Sequence, residues 1–136
     1  MNPEQYLCGA ILISGEQVLQ AIRGLVTADC FQYEAYRAIF TAGLSLLENG
    51  SPIDPISIAA AAKQQGVELP NAMLAELMEI VPTAANCVDY AHRVAEEARK
   101  REIKKLAARI QEDGISTSDE LLAALQRETQ AIQGSH

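Results

Sequence analysis

Aromatic residues are scarce in this 136-residue sequence, which has four tyrosines, two phenylalanines and no tryptophan. Long apolar runs are missing too, and no stretch approaches the roughly 18 consecutive apolar residues of a membrane-spanning helix. The first residues, MNPEQ, lack the positive charge that begins a secretory signal peptide. These absences predict a soluble, cytoplasmic chain, and the 49% share of hydrophobic residues suffices for one globular domain.

Residue patterns typical of catalysis or metal binding are also missing. The sequence has no GxxxxGK[ST] segment, so it lacks the loop that cradles the phosphates of ATP. Cys8, Cys30 and Cys87 are odd in number and far apart, which predicts reduced, mostly buried thiols. Cys87 and His92 are five residues apart and would not share a helix face. We therefore predict no catalytic, cofactor-binding or metal-binding residue in this chain.

Positive charge is in short supply, because 11 Lys and Arg residues stand against 18 Asp and Glu residues, a formal net charge of −7. Nucleic acids and anionic membranes attract Lys and Arg, so this balance argues against both and favours protein partners. The main basic cluster consists of Arg99, Lys100, Arg101, Lys104 and Lys105. It is most simply a solvated helix face, with Glu96–Lys100 and Glu97–Arg101 as pairs one turn apart. Contact with a partner protein or a nucleic acid strand is the alternative.

The longest predicted element begins near Ala84, because Pro82 disfavours helix at the preceding residue and Thr83 can cap the first turn. From Ala84 no Gly or Pro interrupts the chain until Gly114. Gly114 suits the position after a helix C-terminus, and Thr117 with Glu120 has the form of a capping box for a second helix. Residues 84–133 are therefore predicted to form an antiparallel helical hairpin.

Each arm of this hairpin carries an apolar stripe at helical spacing. The stripes comprise Val88, Ala91, Ala95, Ala98, Ile103, Leu106 and Ile110 on the first arm, and Leu121, Leu122, Leu125, Thr129 and Ile132 on the second. Two helices alone leave much of such stripes in water, so a partner is needed, either the rest of the chain or a second copy. We predict self-association through six of these residues: Ile103, Leu106, Ile110, Leu121, Leu125 and Ile132.

Residues 3–81 are predicted to form a compact head of about five short helices, which completes an all-α domain over residues 1–133. The predicted helices are 4–14, ended by Gly15, then 16–25, 32–48, 55–65 and 72–80. Phe31 is expected to plug the core, Asp54 and Pro55 to begin the fourth helix, and Leu74, Leu77 and Met78 to point inward. The final residues, 134–136, resemble the start of a purification tag.

Four segments, in register over about residues 3–132, resemble the N-terminal domain of the DnaB-type replicative DNA helicases. They are Glu4-Gln5-x-Leu7-x-Gly9-Ala10-Ile11-Leu12; Phe31 with Tyr36-Arg37-x-Ile39-Phe40; Gly50-x-Pro52-Ile53-Asp54; and Val81-Pro82-Thr83-Ala84-Ala85-Asn86 with Tyr90-Ala91. The resemblance implies a helical head followed by a hairpin. It also implies a collar of dimers, paired through hairpins as a trimer of dimers, above a ring of six RecA-like ATPase domains.

The same resemblance implies a non-catalytic role in assembly and in docking a primase or helicase loader, with DNA bound only indirectly. ATP and magnesium would belong to a motor domain outside this chain. The leading alternative is a free-standing adaptor or helicase-binding protein of a phage or mobile element. A DNA-binding regulator that uses Arg99 to Lys105 and a small helical enzyme are weaker alternatives.

Overall fold

Six α-helices make up the part of the chain that the computed structural model describes, residues 2–112 and 118–134. In order they are α1 (Pro3–Ile22), α2 (Glu34–Glu48), α3 (Pro55–Gln64), α4 (Asn71–Glu79), α5 (Cys87–Glu112) and α6 (Ser118–Gly134). In α6 the described side chains are those of residues 119, 120, 122, 123, 125–127, 129 and 130. The predicted all-α fold is confirmed over this part of the chain, with α1–α4 as the head and α5 and α6 as the hairpin.

Helix α1 contains the two helical segments predicted for the start of the head, joined at a kink. Asn2 caps it, since its Oδ1 accepts a hydrogen bond from the Glu4 backbone N at 2.8 Å. The backbone leaves helical geometry only at Ser14, with φ −139° and ψ 52°, and the helix then continues to Ile22. The first helical segment therefore ends next to Gly15, as predicted, and a second segment follows the kink. Gly15 lies against Ile53, where an added Cβ would overlap the isoleucine side chain.

The core of the head surrounds α1, which packs against α2, α4 and α5. Phe31 is 1% exposed and stacks on the fully buried Phe40 with ring centroids 5.1 Å apart, so its predicted place in the core is confirmed. A 3₁₀ turn over Ala28–Cys30 precedes it. The turn that carries Phe31 is further held by Glu4, a buried carboxylate whose Oε1 accepts a hydrogen bond from the Gln32 backbone N at 2.7 Å.

Helices α3 and α4 largely follow their sequence signals. Asp54 caps α3 by accepting a hydrogen bond from the Ser57 backbone N at 2.8 Å, and Pro55 is its first residue, as predicted. In α4, Leu74 and Leu77 are buried, but Met78 is exposed, which contradicts its predicted inward position. The buried face is centred near Leu77, and the next residue is turned about 100° away from it. Met73, on the buried side, packs against the core instead.

Helix α5 begins at Cys87, three residues later than predicted, because a turn precedes it. Thr83 does cap this turn, since its Oγ1 accepts from the Ala85 backbone N at 3.2 Å. The hydroxyl of Tyr6 donates to the Thr83 carbonyl oxygen at 2.5 Å and accepts from the Asn86 backbone N at 3.1 Å. The turn therefore presents two backbone groups to Tyr6 and ties the entry into α5 to α1.

Aromatic stacking strengthens the same junction. The Tyr6 ring lies 3.9 Å from that of Tyr90 on α5, and the planes are 15° apart. The Arg93 guanidinium lies over the Tyr90 ring, 4.8 Å from its centroid. Farther along α5, Arg101 Nη2 donates to the Cys30 carbonyl oxygen at 2.9 Å. These contacts fix the first half of α5 to the head.

Replacing Tyr6 with phenylalanine is expected to lower the free energy of unfolding by about 1–2 kcal/mol. The ring stack survives, but the Thr83 carbonyl and the Asn86 N–H lose their partner, and an unsatisfied polar group costs roughly 1–3 kcal/mol. Urea denaturation followed by circular dichroism measures the change. Tyr33→Phe is the matched control, because Tyr33 is 50% exposed. Equal stabilities for the two variants would show that the Tyr6 hydroxyl does not hold the junction.

Candidate functional site

Helix α5 meets two different neighbours along its length. Its first half places Cys87, Ala91, Val94 and Ala98 in the core of the head. Its second half packs Leu106 and Ile110 against Leu125 of α6 in a separate small cluster. The predicted stripe includes Val88 and omits Val94, yet Val88 is 40% exposed and Val94 is 1% exposed. Spacing of seven residues from Cys87 to Val94 keeps the buried face on one side of the helix.

The six residues predicted for self-association separate into three groups. Leu106 and Ile110 are buried, and Leu125 is partly buried, so they hold the two arms together and are not the exposed stripe expected of them. Each arm buries the apolar side chains of the other. Ile103 remains 44% exposed. The side chains of Leu121 and Ile132 lie outside the described residues, as does the predicted turn at Gly114 and Thr117.

Leu122 adds a second accessible apolar side chain to the hairpin. It belongs to the predicted stripe of the second arm but is not among the six residues predicted for self-association. Its side chain is 56% exposed. Ile103 on α5 and Leu122 on α6 are the large hydrophobic side chains that the described part of the hairpin leaves in water, apart from Val88 at the head end. They define the candidate interaction surface, which we call the hairpin surface.

The basic cluster has several roles. Arg101 binds the head through Cys30, so it is structural, and Arg99 pairs with Glu96 at 3.2 Å. Lys105 pairs with Glu102 at 3.4 Å. The predicted i,i+4 pairs of Glu96 with Lys100 and of Glu97 with Arg101 were wrong, because Glu96 pairs with Arg99 and Arg101 donates to the Cys30 carbonyl oxygen. Exposed pairs of this kind contribute only about 0.3–0.5 kcal/mol each. Lys100 and Lys104 are exposed.

The three cysteines are buried free thiols, as predicted. Burial, with a smaller contribution from the Glu4 carboxylate, raises the pKa of the Cys8 thiol well above its usual range. A thiol with a raised pKa carries little thiolate and reacts slowly. No group of three or more His, Cys, Asp or Glu side chains is placed to hold a metal in the two described ranges. Within those same ranges no helix is long and apolar enough to span a bilayer.

A head of short helices joined to a two-helix arm agrees with the family expected from the sequence. A family model described as the DnaB-like helicase N terminal domain matches residues 1–96. The chain belongs to this family. The match covers the head and ends within α5, so it spans the junction that Tyr6 and Tyr90 stabilise.

Curated relatives of this DnaB-family chain are replicative DNA helicases. The chain is 33% identical over 124 residues to "Replicative DNA helicase DnaB" of Geobacillus stearothermophilus, covering 89% of the chain and 27% of the relative. It is 36% identical over 136 residues to the protein of the same name from Haemophilus influenzae, covering 95% of the chain and 29% of the relative. The chain thus spans less than a third of the length of these relatives.

Solved structures of DnaB N-terminal domains share the fold of the chain. The domain from Mycobacterium tuberculosis superposes with a TM-score of 0.77 at 28% identity and 93% coverage of both chains. The domain from Helicobacter pylori, whose structure was described together with its interactions with primase, gives a TM-score of 0.72 at 20% identity, covering 85% of this chain and 91% of that one. The coverage of the first extends the likeness from the head into the hairpin.

Several contacts at the head were not predicted from the sequence. Tyr6 and Tyr90 are 84 positions apart in the numbering, so no local pattern relates them. Arg93 follows Tyr90 by three residues, a spacing that places the two side chains on neighbouring positions of a helix, and this signal could have been read. Glu4 could be recognised as a residue of the resemblance, but its burial could not.

Proposed function

We propose that the chain is the non-catalytic N-terminal domain of a hexameric replicative DNA helicase, and that it assembles the ring and docks partner proteins. Membership of the family supports the helicase context. The motor activity, with its ATP and magnesium, would belong to the remainder of a full-length protein, as the partial coverage of the relatives suggests. The role of this chain would then be to bind other proteins.

Exposed apolar side chains on the hairpin carry the proposal. The described core of the hairpin consists of Leu106 and Ile110 with the partly buried Leu125. Two helices that pack only on each other are stabilised weakly, because each helix still exposes apolar surface to water. Ile103 and Leu122 are that surface. Pairing of two hairpins would bury both side chains and enlarge the core of each arm.

In the helicase this pairing would build a collar from dimers, with three dimers around the ring. The collar would receive a primase or a helicase loader. Support for a primase partner comes from the Helicobacter pylori domain, whose structure was described with its interactions with primase. Lys100, Lys104 and Lys105, the exposed members of the basic cluster, are candidate contacts for an acidic partner surface.

Changing Ile103 or Leu122 to aspartate is expected to weaken self-association at least tenfold. A charge at the centre of an apolar contact loses hydration without gaining a partner, and tenfold corresponds to about 1.4 kcal/mol. Sedimentation over a concentration series measures the dissociation constant. Ile56→Asp is the matched control, since Ile56 is 83% exposed on α3 of the head. Wild-type protein that stays monomeric throughout, or equal weakening by all three variants, would contradict the proposal.

A further inference from the structure

A groove on the head lies between the first turn of α1, the start of α2 and the face of α4. Its volume is about 240 Å³. Small-molecule sites usually have roughly 300–1,000 Å³, so this groove is better matched to one or two side chains of a partner protein. It is on the head, and it includes neither the hairpin surface nor the junction at the start of α5.

Aromatic and apolar side chains line the groove. Tyr36, Met73 and Ile80 contribute to its wall, and Ile80 is 38% exposed. Tyr33, which is 50% exposed, extends the apolar surface by packing edge-to-face on Tyr36 with ring centroids 5.6 Å apart. Tyrosine and methionine are enriched at the centres of protein interfaces because they bury much area. The wall therefore offers apolar contact to an inserted side chain.

The rim of the groove is negatively charged. Glu76 and Glu79 both line it and are exposed, and none of the described residues in its lining is Lys, Arg or His. Both acidic residues lie in the last turn of α4, which ends at Glu79. The C-terminus of a helix carries partial negative charge, so carboxylates there are unfavourably placed for α4 itself. A cation brought by a partner would be attracted by both carboxylates and by the helix end.

We propose that this groove binds a segment of a partner protein that inserts an apolar side chain beside Tyr36 and Ile80. The segment places an Arg or Lys side chain against Glu76 and Glu79. The apolar insertion supplies most of the affinity, and the charge pair supplies attraction at a distance and selects basic over acidic segments. The proposal concerns the head alone and does not depend on pairing of the hairpins.

Selection from a phage-displayed library of random 12-residue peptides, with the full chain as bait, tests the proposal. The expected peptides carry Leu, Met or Phe next to Arg or Lys. Synthetic, fluorescein-labelled copies of the selected peptides then give dissociation constants by fluorescence anisotropy. We expect Glu76→Lys/Glu79→Lys to weaken binding at least tenfold. Binding to the wild type should also weaken as salt is raised, because the charges on the rim are exposed to solvent.

The double variant Glu16→Lys/Glu48→Lys is the matched control. It makes the same change in net charge at two exposed residues away from the groove, and it should bind the peptides within twofold of the wild type.

Equal weakening by both double variants would show a general charge effect and overturn the proposal. So would selected peptides without Arg or Lys, or a selection that enriches no binder sensitive to Glu76 and Glu79. Loss of self-association in the Glu76→Lys/Glu79→Lys chain would make the groove a contact between copies and would also overturn it. The variants at Ile103 and Leu122 test the hairpin separately.

Discussion

Replacing Phe40 with alanine is expected to lower the free energy of unfolding by about 3–5 kcal/mol. Phe40 is fully buried on α2, and its ring stacks on that of Phe31, which is 1% exposed. Truncation removes the apolar contact of one ring and leaves a cavity beside the other. Domains of this size are stable by only about 5–15 kcal/mol, so the variant should unfold at much lower urea concentration.

The effect of Phe40→Ala is measured by urea denaturation monitored by circular dichroism. Tyr33→Ala serves as the control, because it removes an aromatic ring that is 50% exposed near the start of the same helix. It should cost at most about 1 kcal/mol, as exposed substitutions usually do. A loss below about 1 kcal/mol for Phe40→Ala would mean that the aromatic pair is not the centre of the head.

Replacing Gly9 with alanine, which adds a single methyl group, is expected to destabilise the protein by about 2–3 kcal/mol. A Cβ at this position of α1 would overlap the Leu77 carbonyl oxygen of α4 and the Val81 side chain. Overpacking commonly costs about 1–3 kcal/mol, and here the obstacle includes backbone, which cannot rotate away. The better helix propensity of alanine, worth up to about 1 kcal/mol, offsets only part of this loss.

Gly43→Ala provides the matched comparison, because Gly43 is also a buried helical glycine. Its added Cβ would meet Leu19 Cδ1 at 2.9 Å, the end of a side chain that can move. We expect the stability of Gly43→Ala to lie within about 1 kcal/mol of the wild type, by the same denaturation measurement. If the Gly9 and Gly43 variants had equal stabilities, the close approach of α1 and α4 would not constrain the fold.

Local sequence signals predicted most of the helices but not every boundary. Asp54 with Pro55 correctly began α3, because a cap and its proline act within a few residues. The start of α5 was wrong by three residues, because the turn before Cys87 is stabilised by the distant Tyr6. The two helical segments predicted between Glu4 and Leu25 are present on either side of the kink at Ser14, although the second ends at Ile22.

Periodicity identified the apolar face of the hairpin but not which neighbour covers each part of it. Leu106 and Ile110 satisfy the same helical spacing as Ile103, yet they face the other arm and Ile103 faces water. The stripe alone could not distinguish these outcomes, because it specifies residue type and spacing, not partners. Arg101 is a similar case, since a basic run predicts solvation and its acceptor, the Cys30 carbonyl, lies 71 residues earlier.

Hydrogen exchange tests self-association through the hairpin most directly, because it locates the contact in the unmodified protein. Exchange is compared by mass spectrometry at protein concentrations below and above the dissociation constant. Pairing of hairpins lowers the frequency of local opening, so residues 100–112 and α6 should exchange more slowly at high concentration, and α2 and α3 should not change. Slowing confined to α2, α3 or α4, or no change at any concentration, would contradict assembly through the hairpin.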